Sequence, residues 1–524
     1  MSWVGAPTLG EMTSAPTLRS GPATRGLRGP AARGLVAGWA GLAVAELSAR
    51  LIGSQVTPLE AVGAWVVELS PGGLVRGSIE LLGAWDKPVL VVGMVVVLSA
   101  LYAGLGYVAE RAPLLGAAGF VVLAGVGAVA VLTRPDTSPA AGLSLLLGLG
   151  ANALSWAWTG RRDLEPEEGP GATRRVLLVA AGAAVLGVSS RVVGRQRELV
   201  ERAREVLRLP ATRPAPPAAA QVAALEGVTP WQTPNADFYR IDTVLTPPAL
   251  DPDQWQLRVH GMVEREVVLD LADLLERQVT EAWITLSCVS NPVGGDLVGT
   301  AWWSGVRVAD LLAEAGVAAE ADAILQTSAD GWTCATPLSA VTDDRDALLA
   351  VAMNGEPLPV EHGFPVRMVV PGLYGFVSAT KWIVDIEVTR FADVTAYWTK
   401  RGWSEQAPVR LASRVDLPRA GATVTRDEAG AVSIAGCAWH QHTGVSAVEY
   451  SIDAGPWQAA RLGETPSADT WVQWSARATL EPGEHTVRVR AVSADGEVQT
   501  GEQRAVAPDG ATGWDEHRFT VSES

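Results

Sequence analysis

Long, largely uncharged apolar runs in the first 193 residues restrict the fold of this chain more than any other feature. Pro88 to Val108 carries no charge and would rise about 31 Å as a helix, enough to cross the hydrocarbon core of a bilayer. Comparable runs predict four further spans, at Gly34 to Gly53, Pro113 to Leu132, Ser138 to Thr159 and Val176 to Ser190. One such run is often a buried core helix. Several in one third of a chain indicate a transmembrane anchor of about five helices over residues 34–193.

Arginines around the predicted anchor indicate its orientation in the membrane. Residues 1–33, predicted as a disordered basic tail, carry four arginines, and the loop 160–175 carries four more. Because positively charged loops stay in the cytoplasm, five spans place everything after residue 194 outside it. Arg174-Arg175 precedes the last span and is similar to a twin-arginine export signal, although an ordinary positive-inside pair is the simpler explanation. Residues 59–82 are charged and broken by Pro-Gly-Gly, which favours an interfacial or re-entrant pair of short helices.

Three further regions follow the predicted anchor. Residues 194–228 combine a charged Arg/Glu-rich helix with a proline-rich extended spacer. Residues 229–405 mix short strands with short helices, which predicts an α+β domain. Residues 406–524 alternate in hydropathy between Asp-Gly and Pro-Gly turns, which predicts a β-sandwich. The expected fold class is therefore multi-domain: an all-α transmembrane bundle, then an α+β domain, then an all-β sandwich.

Charge and residue counts exclude several functions. A net charge of −16 argues against a nucleic-acid partner. Three cysteines form no disulfide framework. No histidine precedes His260, so the predicted anchor cannot ligate a haem through paired histidines. We therefore interpret the first third as an anchor or docking surface and not as a redox module.

The segment from Trp283 to Trp303 contains the candidate reactive residue. A short β-prone run there ends at Cys288, and a loop with Asn291, Pro292 and two glycines follows. Such a cysteine either buries a small apolar side chain or presents a thiolate to a soft electrophile or a metal. Burial is the more common outcome for a free cysteine considered alone.

The loop Cys288-x-x-Asn291, followed by Trp303-x-Gly305, resembles the molybdenum-binding loop of the sulfite oxidase family. The resemblance extends to three motifs in the family's order: Asn235-Ala-Asp-Phe238-Tyr239-Arg240, His362-Gly-Phe-Pro-Val-Arg367 and Val370-Pro-Gly through Ser378 to Lys381-Trp382. It implies that residues 229–405 are a molybdopterin-binding catalytic domain. It also implies that residues 406–524 are the family's immunoglobulin-like dimerisation domain, and therefore a homodimer.

The resemblance assigns roles to individual residues. Cys288 would be the metal ligand and a catalytic residue, bound to molybdenum that a molybdopterin dithiolene holds. Cofactor-binding roles would fall on Asn235, Phe238, Tyr239, Arg240, Thr327, His362, Arg367, Ser378 and Lys381. Arg240 would also be catalytic by facing an anionic substrate, and Trp332 occupies the place of the family's catalytic tyrosine. That replacement, with Pro292-Val293 where an arginine pair often stands, removes a hydroxyl and two cations from an anion pocket.

These observations predict a membrane-anchored molybdenum oxidoreductase with its catalytic domains outside the cytoplasm. The expected reaction is two-electron oxygen-atom transfer on a small oxyanion or sulfur-type substrate, as in a sulfite oxidase or dehydrogenase. Electrons would pass through a separate carrier such as a cytochrome, because no Cys-x-x-Cys-His motif is present. Two alternatives stay open: a sulfoxide or N-oxide reductase on the same fold, and a non-catalytic anchored scaffold protein.

Overall fold

A computed structural model describes residues 29–52, 57–70, 86–133, 141–160, 197–209, 211–222, 226–244 and 246–522. Most of the predicted basic tail, the predicted span Val176 to Ser190 and the Arg174-Arg175 pair lie outside these residues. The second half of the segment 59–82, predicted as paired interfacial helices, also lies outside them.

Five helices occupy the described residues before position 161. They are α1 (Pro30–Leu51), α2 (Pro58–Leu69), α3 (Asp86–Arg111), α4 (Pro113–Leu132) and α5 (Ala141–Gly160). Helix α1 begins at Pro30, so the last residues assigned to the predicted tail are helical. Among the described residues, α1, α4 and the Val89–Arg111 part of α3 are long and apolar enough to cross a membrane.

Small residues on α1 allow it to pack closely against α3 and α5. A Cβ added at Gly34 would lie 2.1 Å from the Tyr102 carbonyl oxygen, and one at Gly41 would lie 2.9 Å from the Gly148 carbonyl oxygen. Trp39 and Tyr102 form an edge-to-face pair beside these contacts, with ring centroids 5.8 Å apart. Glycine at helix crossings is typical of close packing between membrane helices.

Residues 197–209 and 211–222 lie against the folded domains. Helix α6, residues 197–206, buries Val200 in a core cluster of the middle domain. The proline-rich segment predicted as a spacer continues along the same domain, where the Thr212 hydroxyl donates to a Glu281 carboxylate oxygen at 2.7 Å. The Val222 N–H donates to Gln473 Oε1 at 3.3 Å, so this segment contacts the C-terminal domain as well.

The middle domain contains one mixed sheet and one antiparallel sheet, with short helices between their strands. Its strands are β1 (Gln256–Gly261), β2 (Val267–Asp270), β3 (Thr280–Ser287), β4 (Val298–Arg307), β5 (Ala323–Ser328), β6 (Thr333–Pro337), β7 (Leu348–Met353), β8 (Glu356–Pro357), β9 (Arg367–Val369) and β10 (Ile383–Thr389). Its helices are α7 (Leu271–Leu275), α8 (Val308–Ala315) and α9 (Ser339–Thr342). One sheet has the order β2-β1-β10-β5-β6, and the other has β3-β4-β7-β8 with β9 beside β7.

Local sequence explains several of these elements. Asp270 caps helix α7 by accepting the Asp273 N–H, and the Asp273 side chain accepts the Asp270 N–H in return. Gly316 ends helix α8 in the left-handed conformation, which glycine adopts without a Cβ clash. Strand β7 is buried along its whole length, as expected for the apolar run Leu-Leu-Ala-Val-Ala-Met at the centre of a sheet.

The C-terminal domain contains two facing sheets. Its strands are β11 (Ala412–Leu417), β12 (Thr423–Thr425), β13 (Ala431–Trp439), β14 (Val445–Ile452), β15 (Gln458–Ala459), β16 (Arg461–Leu462), β17 (Val472–Thr479), β18 (Gly483–Ser493) and β19 (Asp515–Ser522). The sheets have the orders β11-β13-β17-β16 and β12-β19-β18-β14-β15. Ile434, Trp474, Val487 and Phe519 share the core between them. Apolar helices are therefore followed by two β-rich domains.

Candidate active site

Cys288 lies directly after strand β3, at the start of a closed loop. Its N–H donates to the Leu297 carbonyl at 2.9 Å, and its own carbonyl accepts the Asn291 N–H at 3.1 Å. The Asn291 side chain then accepts the Leu297 N–H at 2.9 Å, so the loop returns on itself. Burial raises the pKa of the Cys288 thiol, and its side chain is 8% exposed. A cation at the sulfur would be needed to stabilise the thiolate at neutral pH.

The C-terminal domain supports the strand that carries this cysteine. The Thr285 hydroxyl oxygen accepts the Trp471 backbone N–H at 2.8 Å, and the Thr285 N–H donates to the Asp469 carbonyl at 2.9 Å. The indole N–H of Trp471 donates to the Trp231 carbonyl at 2.8 Å. Since all these groups are buried or nearly so, the position of β3 depends on contacts from a domain that begins more than a hundred residues later.

Two tyrosines lie near the cysteine. A Cβ added at Gly375 would be 3.8 Å from both the Ser287 carbonyl oxygen and the Tyr239 hydroxyl, so the Gly375 loop passes close to the end of β3. Burial, with a smaller effect from Cys288, raises the pKa of Tyr239. Burial also raises the pKa of Tyr374 to about 12. Both phenols are therefore protonated at neutral pH and can donate a hydrogen bond.

Arg367 places an uncompensated positive charge inside the middle domain. Its side chain is buried, and its N–H groups reach only backbone carbonyls, those of His362 at 3.2 Å, Met368 at 3.4 Å and Ala379 at 3.5 Å. Desolvation lowers the pKa of this guanidinium to about 10. No carboxylate of the described chain forms an ion pair with Arg367. A buried cation of this kind provides a site for an anion such as a phosphate.

His362 is held in one neutral form. Burial lowers its pKa to about 4, and the nearby charges of Arg367 and Lys381 act in the same direction. Its Nε2 lies 3.1 Å from the Asn235 carbonyl oxygen. Because a carbonyl only accepts, Nε2 carries the proton and Nδ1 is left as an acceptor. The Phe238 ring packs edge-on to the imidazole with centroids 5.8 Å apart and fixes its plane.

Lys381 and Arg240 share one carboxylate. Lys381 Nζ lies 3.0 Å from Asp242 Oδ2, and Arg240 Nε lies 3.6 Å from the same oxygen. Burial lowers the pKa of Lys381 to about 8, although Asp242 opposes the shift. Arg240 is about half exposed, so its guanidinium can reach solvent while Lys381 cannot. Together with Arg367 and His362, these groups favour negative charge. We call this set of residues, together with Cys288 and the two tyrosines near it, the cradle.

Four other predicted residues have defined local contacts. The Asn235 side chain donates to the Met353 carbonyl at 3.1 Å, and its backbone carbonyl accepts a hydrogen bond from His362 Nε2. The Ser378 hydroxyl lies 2.9 Å from the Tyr374 carbonyl and so stabilises the Gly375 turn. Thr327 lies on β5 opposite Thr333. Trp332 is half-buried in the turn between β5 and β6, where its N–H donates to Asp330 Oδ1 at 3.0 Å.

Two residues of the cradle were not identified from the sequence, Tyr374 and Asp242. Tyr374 lies inside the Val370-Pro-Gly-x-x-Gly motif, so its spacing from the glycines was an available signal. Asp242 follows Arg240 by two positions, but its role as the partner of Lys381 depends on a contact across 139 residues. That distance along the chain is why local spacing did not reveal it.

The donor set fits a phosphate-bearing organic chelate of a metal. Within the described residues it offers a buried sulfur at Cys288, a buried guanidinium at Arg367 without a carboxylate partner and an imidazole acceptor at His362. The Ser287 hydroxyl, next to the cysteine, is buried without a hydrogen-bond partner in the described part of the chain. Since buried polar groups are nearly always satisfied, this hydroxyl indicates a missing ligand atom. The predicted molybdopterin supplies the required phosphate, ring N–H groups and metal.

A cleft of about 620 Å³ opens between the middle and C-terminal domains beside this cradle. Its walls include Tyr239 and Arg240 from one side and Arg414, Arg419 and His517 from the other. Arg414 and Asp416, which also line it, form a buried ion pair at 2.8 Å. A second guanidinium N–H of Arg414 donates to the Gly295 carbonyl at 2.8 Å, which ties the cysteine loop to strand β11.

Comparisons with known proteins match the same region. Residues 244–398 match the family described as the oxidoreductase molybdopterin binding domain. The mitochondrial sulfite oxidase of Homo sapiens is 31% identical over 304 residues, which are 49% of this chain and 55% of that protein. An uncharacterized oxidoreductase of Bacillus subtilis, YuiH, is 35% identical over 176 residues, which are 34% of this chain and 85% of that protein.

A solved structure is also similar. The sulfane dehydrogenase SoxCD from Paracoccus pantotrophus has 25% sequence identity and a TM-score of 0.45, covering 53% of this chain and 75% of that chain. This chain spans about half the length of the mammalian sulfite oxidases it matches.

Proposed function

This chain belongs to the sulfite oxidase family of molybdopterin-dependent oxidoreductases, and we propose from that premise that it transfers an oxygen atom to or from a small sulfur compound. The predictions of an oxidoreductase and of a molybdenum–molybdopterin cofactor are confirmed by the family match and by the sulfite oxidase relatives. The substrate, the partners and the location are part of the proposal.

Each residue of the cradle would have a separate role in holding the cofactor. Molybdenum, when bound, supplies two-electron redox chemistry and an exchangeable oxygen. Cys288 would provide the sulfur ligand, Arg367 would bind the phosphate, and Nδ1 of His362 could accept a ring N–H. Tyr239 and Tyr374 keep their protons and could donate hydrogen bonds to a bound ligand. Arg240, half exposed, is the cation of this group that can reach a bound substrate.

The observation that carries the proposal is the buried guanidinium of Arg367 in the same cradle as a buried cysteine. Isolated buried charges cost several kcal/mol, so a fold retains one where a ligand of opposite charge normally compensates it. Sulfite oxidation suits this cradle: sulfite and water become sulfate with release of two protons and two electrons. We propose that the electrons leave to a separate carrier such as a cytochrome.

The location follows from the apolar helices. Exposed side chains of α3, α4 and α5 include Val92, Val122 and Leu146, which would contact lipid in a membrane. With the arginine-rich loops in the cytoplasm, we propose that the catalytic domains lie on the extracytoplasmic side. The two facing sheets after residue 411 support the proposal of an immunoglobulin-like domain through which the chain forms a homodimer.

Reduction of a sulfoxide or N-oxide is a second candidate on the same fold. Trp332 replaces a tyrosine expected in the family's anion pocket, and Pro292-Val293 replaces an arginine pair. Both replacements weaken a site for a doubly charged anion and leave a neutral oxide unaffected. The family match argues against the remaining alternative, a non-catalytic scaffold.

Substitution of two of the three cysteines tests the proposal. Cys288→Ser in the full chain, purified from a host that supplies molybdopterin, is expected to abolish turnover of sulfite and of sulfoxides while the protein stays folded. Cys437→Ser is the matched control, because Cys437 is also buried but lies in strand β13 of the C-terminal domain. Turnover and molybdenum content are measured together by steady-state assay and elemental analysis. Full activity in Cys288→Ser would refute the ligand assignment.

A further inference from the structure

Four aromatic side chains form a continuous row that starts at the turn beside the cysteine loop. Phe376 directly follows Gly375, and the row continues through Trp403, Trp398 and Tyr397. Successive ring centroids along it are 5.7, 6.1 and 5.2 Å apart, which is typical of aromatic rings in contact. We call these four residues the aromatic row. It leads from the end of strand β3 toward another part of the molecule.

Arg401 joins the far end of the row to helix α2. Its guanidinium carbon lies 3.7 Å from the centroid of the Tyr397 ring, and NH1 donates to the Tyr397 carbonyl at 2.7 Å. NH2 lies 3.5 Å from the Val67 carbonyl oxygen, in the last turn of α2. An arginine at this place caps the last carbonyls and faces the negative end of the helix dipole. The catalytic domain therefore has a defined contact with the apolar helices.

Helix α2 lies between the other apolar helices and the catalytic domain. Ala61 of α2 packs against Ala130 and Val131 of α4 in a buried cluster. Val66 and Leu69, in the last turn of α2, are 42% and 79% exposed. Apolar side chains exposed on a helix at the edge of a membrane contact lipid. The aromatic row thus ends where a molecule dissolved in the bilayer can arrive.

Two buried donors at this end of the row lack an acceptor among the described residues. They are the indole N–H of Trp403 and the Nε of Arg401, and both residues are 8% exposed. Since buried polar groups are nearly always satisfied, acceptor atoms are expected beside them. Both groups only donate, which favours a ligand with carbonyl oxygens. A quinone ring carries two of these oxygens.

We propose that electrons leave the molybdenum site along the aromatic row and reduce a lipid-soluble quinone where α2 meets residues 397–403. The inference rests on the proposed oxidation of a sulfur compound and specifies its electron carrier. Sulfite and water become sulfate, and the two electrons and two protons released convert the quinone into a quinol. Electron transfer slows steeply with each gap between orbitals, and rings in contact keep these gaps short. No histidine precedes His260, so the apolar helices offer no histidine pair for a haem carrier.

Turnover with three acceptors tests the route on the full, molybdenum-loaded chain in lipid nanodiscs. Sulfite oxidation is measured with decylubiquinone, with ferricyanide and with a soluble cytochrome c. The kcat with decylubiquinone is expected to exceed that with cytochrome c by about tenfold or more. Ferricyanide is small and soluble, so its turnover reports the sulfur chemistry without the route to the membrane.

Substitution of Trp398 interrupts the row. Trp398→Leu should lower the kcat with decylubiquinone by about tenfold or more and leave the ferricyanide value unchanged. Trp398→Phe should restore most of the lost rate, because it retains a ring. Trp457→Leu is the matched control, since Trp457 is also half-buried but lies in the C-terminal domain outside the row, and it should change neither value.

Photolabelling provides a measurement that does not depend on the cofactor. An azidoquinone is illuminated with the full apo chain in nanodiscs, and mass spectrometry identifies the labelled peptides. Label is expected in α2 and in residues 397–403, and excess decylubiquinone should displace it. Arg401→Leu removes the cap of α2 and one buried donor, so labelling there should fall by about tenfold. Arg390→Leu, at an exposed arginine of the same domain, should leave the labelling unchanged.

The outcomes separate the inference from the proposed function. Sulfite oxidation with ferricyanide but not with decylubiquinone, or faster oxidation with cytochrome c, would overturn the inference alone. An unchanged decylubiquinone rate in Trp398→Leu, or label confined to helices other than α2, would also overturn it. A molybdenum-loaded chain that turns over no sulfur compound with any of the acceptors would overturn the proposed function, and the route with it.

Discussion

Replacing Arg367 by methionine should make the empty protein more stable while it prevents the cofactor from staying bound. Arg367 is 5% exposed, and in the described chain its guanidinium donates only to carbonyls, at 3.2 to 3.5 Å, and lies 5.2 Å from the centroid of the Trp303 ring. Lowering its pKa from 12.5 to about 10 corresponds to about 3 kcal/mol of unfavourable burial in the charged form. Replacement of buried charges by apolar side chains of similar size commonly stabilises a fold by about 1–4 kcal/mol.

For the cofactor-loaded protein, the same substitution is expected to be unfavourable. Hydrogen bonds from a charged donor to a phosphate contribute about 1.5–3 kcal/mol each, so loss of a bidentate contact weakens cofactor binding by about 3–6 kcal/mol. Cofactor content after gel filtration should therefore fall to near zero in Arg367→Met. The apo variant should melt above the apo wild type, by about 2–4 °C for each kcal/mol in a domain of this size.

Arg345→Met is the control for this prediction. Arg345 is also largely buried, but its Nε and NH2 groups lie 2.9 and 2.8 Å from Asp343, and it donates to the Pro371 carbonyl as well. Its loss leaves a carboxylate unpaired, so the apo protein should become less stable while the cofactor content is kept. An Arg367→Met protein that retains the cofactor at the wild-type ratio, or that melts below the apo wild type, would refute the reasoning.

Two further predictions concern pH and the support of the cysteine strand. Because the folded-state pKa of Lys381 is lowered from 10.5 to about 8, the unfolded apo protein binds more protons between those values, and its free energy of unfolding should rise with pH across that window. Thermal melting should show this rise in wild type and lose it in Lys381→Met; an identical pH profile would contradict the assignment. Thr285→Val should cost about 1–3 kcal/mol in urea unfolding, because the buried Trp471 N–H loses its acceptor. Thr425→Val, at an exposed position, should change the free energy little, and equal effects of the two substitutions would show that the contact is unimportant.

Family and cofactor could be predicted from the sequence because the chemistry lies in short motifs. A cysteine at the end of a β-prone run, His362 five residues before Arg367, and Lys381 beside Trp382 are each readable within a few positions. The run of apolar helices was readable for the same reason, since helix period and length are local properties. The predicted ends of the helices were less accurate. Helix α1 begins at Pro30 and not at Gly34, because proline is favourable in the first turn of a helix.

Contacts between segments far apart in the sequence decided the features that could not be predicted from it. Asp242 reaches Lys381 across 139 residues, and the Trp471 N–H reaches Thr285 across 186. The proline-rich segment was predicted as a spacer, yet Thr212 lies on the middle domain because Glu281 accepts its hydroxyl and its N–H.

The sequence by itself determined which chemical groups this protein brings to its site: one sulfur, an arginine, a histidine and a lysine. Tertiary structure decided their environment, including the neutral state of His362 and the burial of Arg367 without a carboxylate partner in the described part of the chain. The physical reason is that side-chain type is a property of one residue. Burial and electrostatic field, in contrast, depend on every charge and surface that the fold brings within a few ångströms.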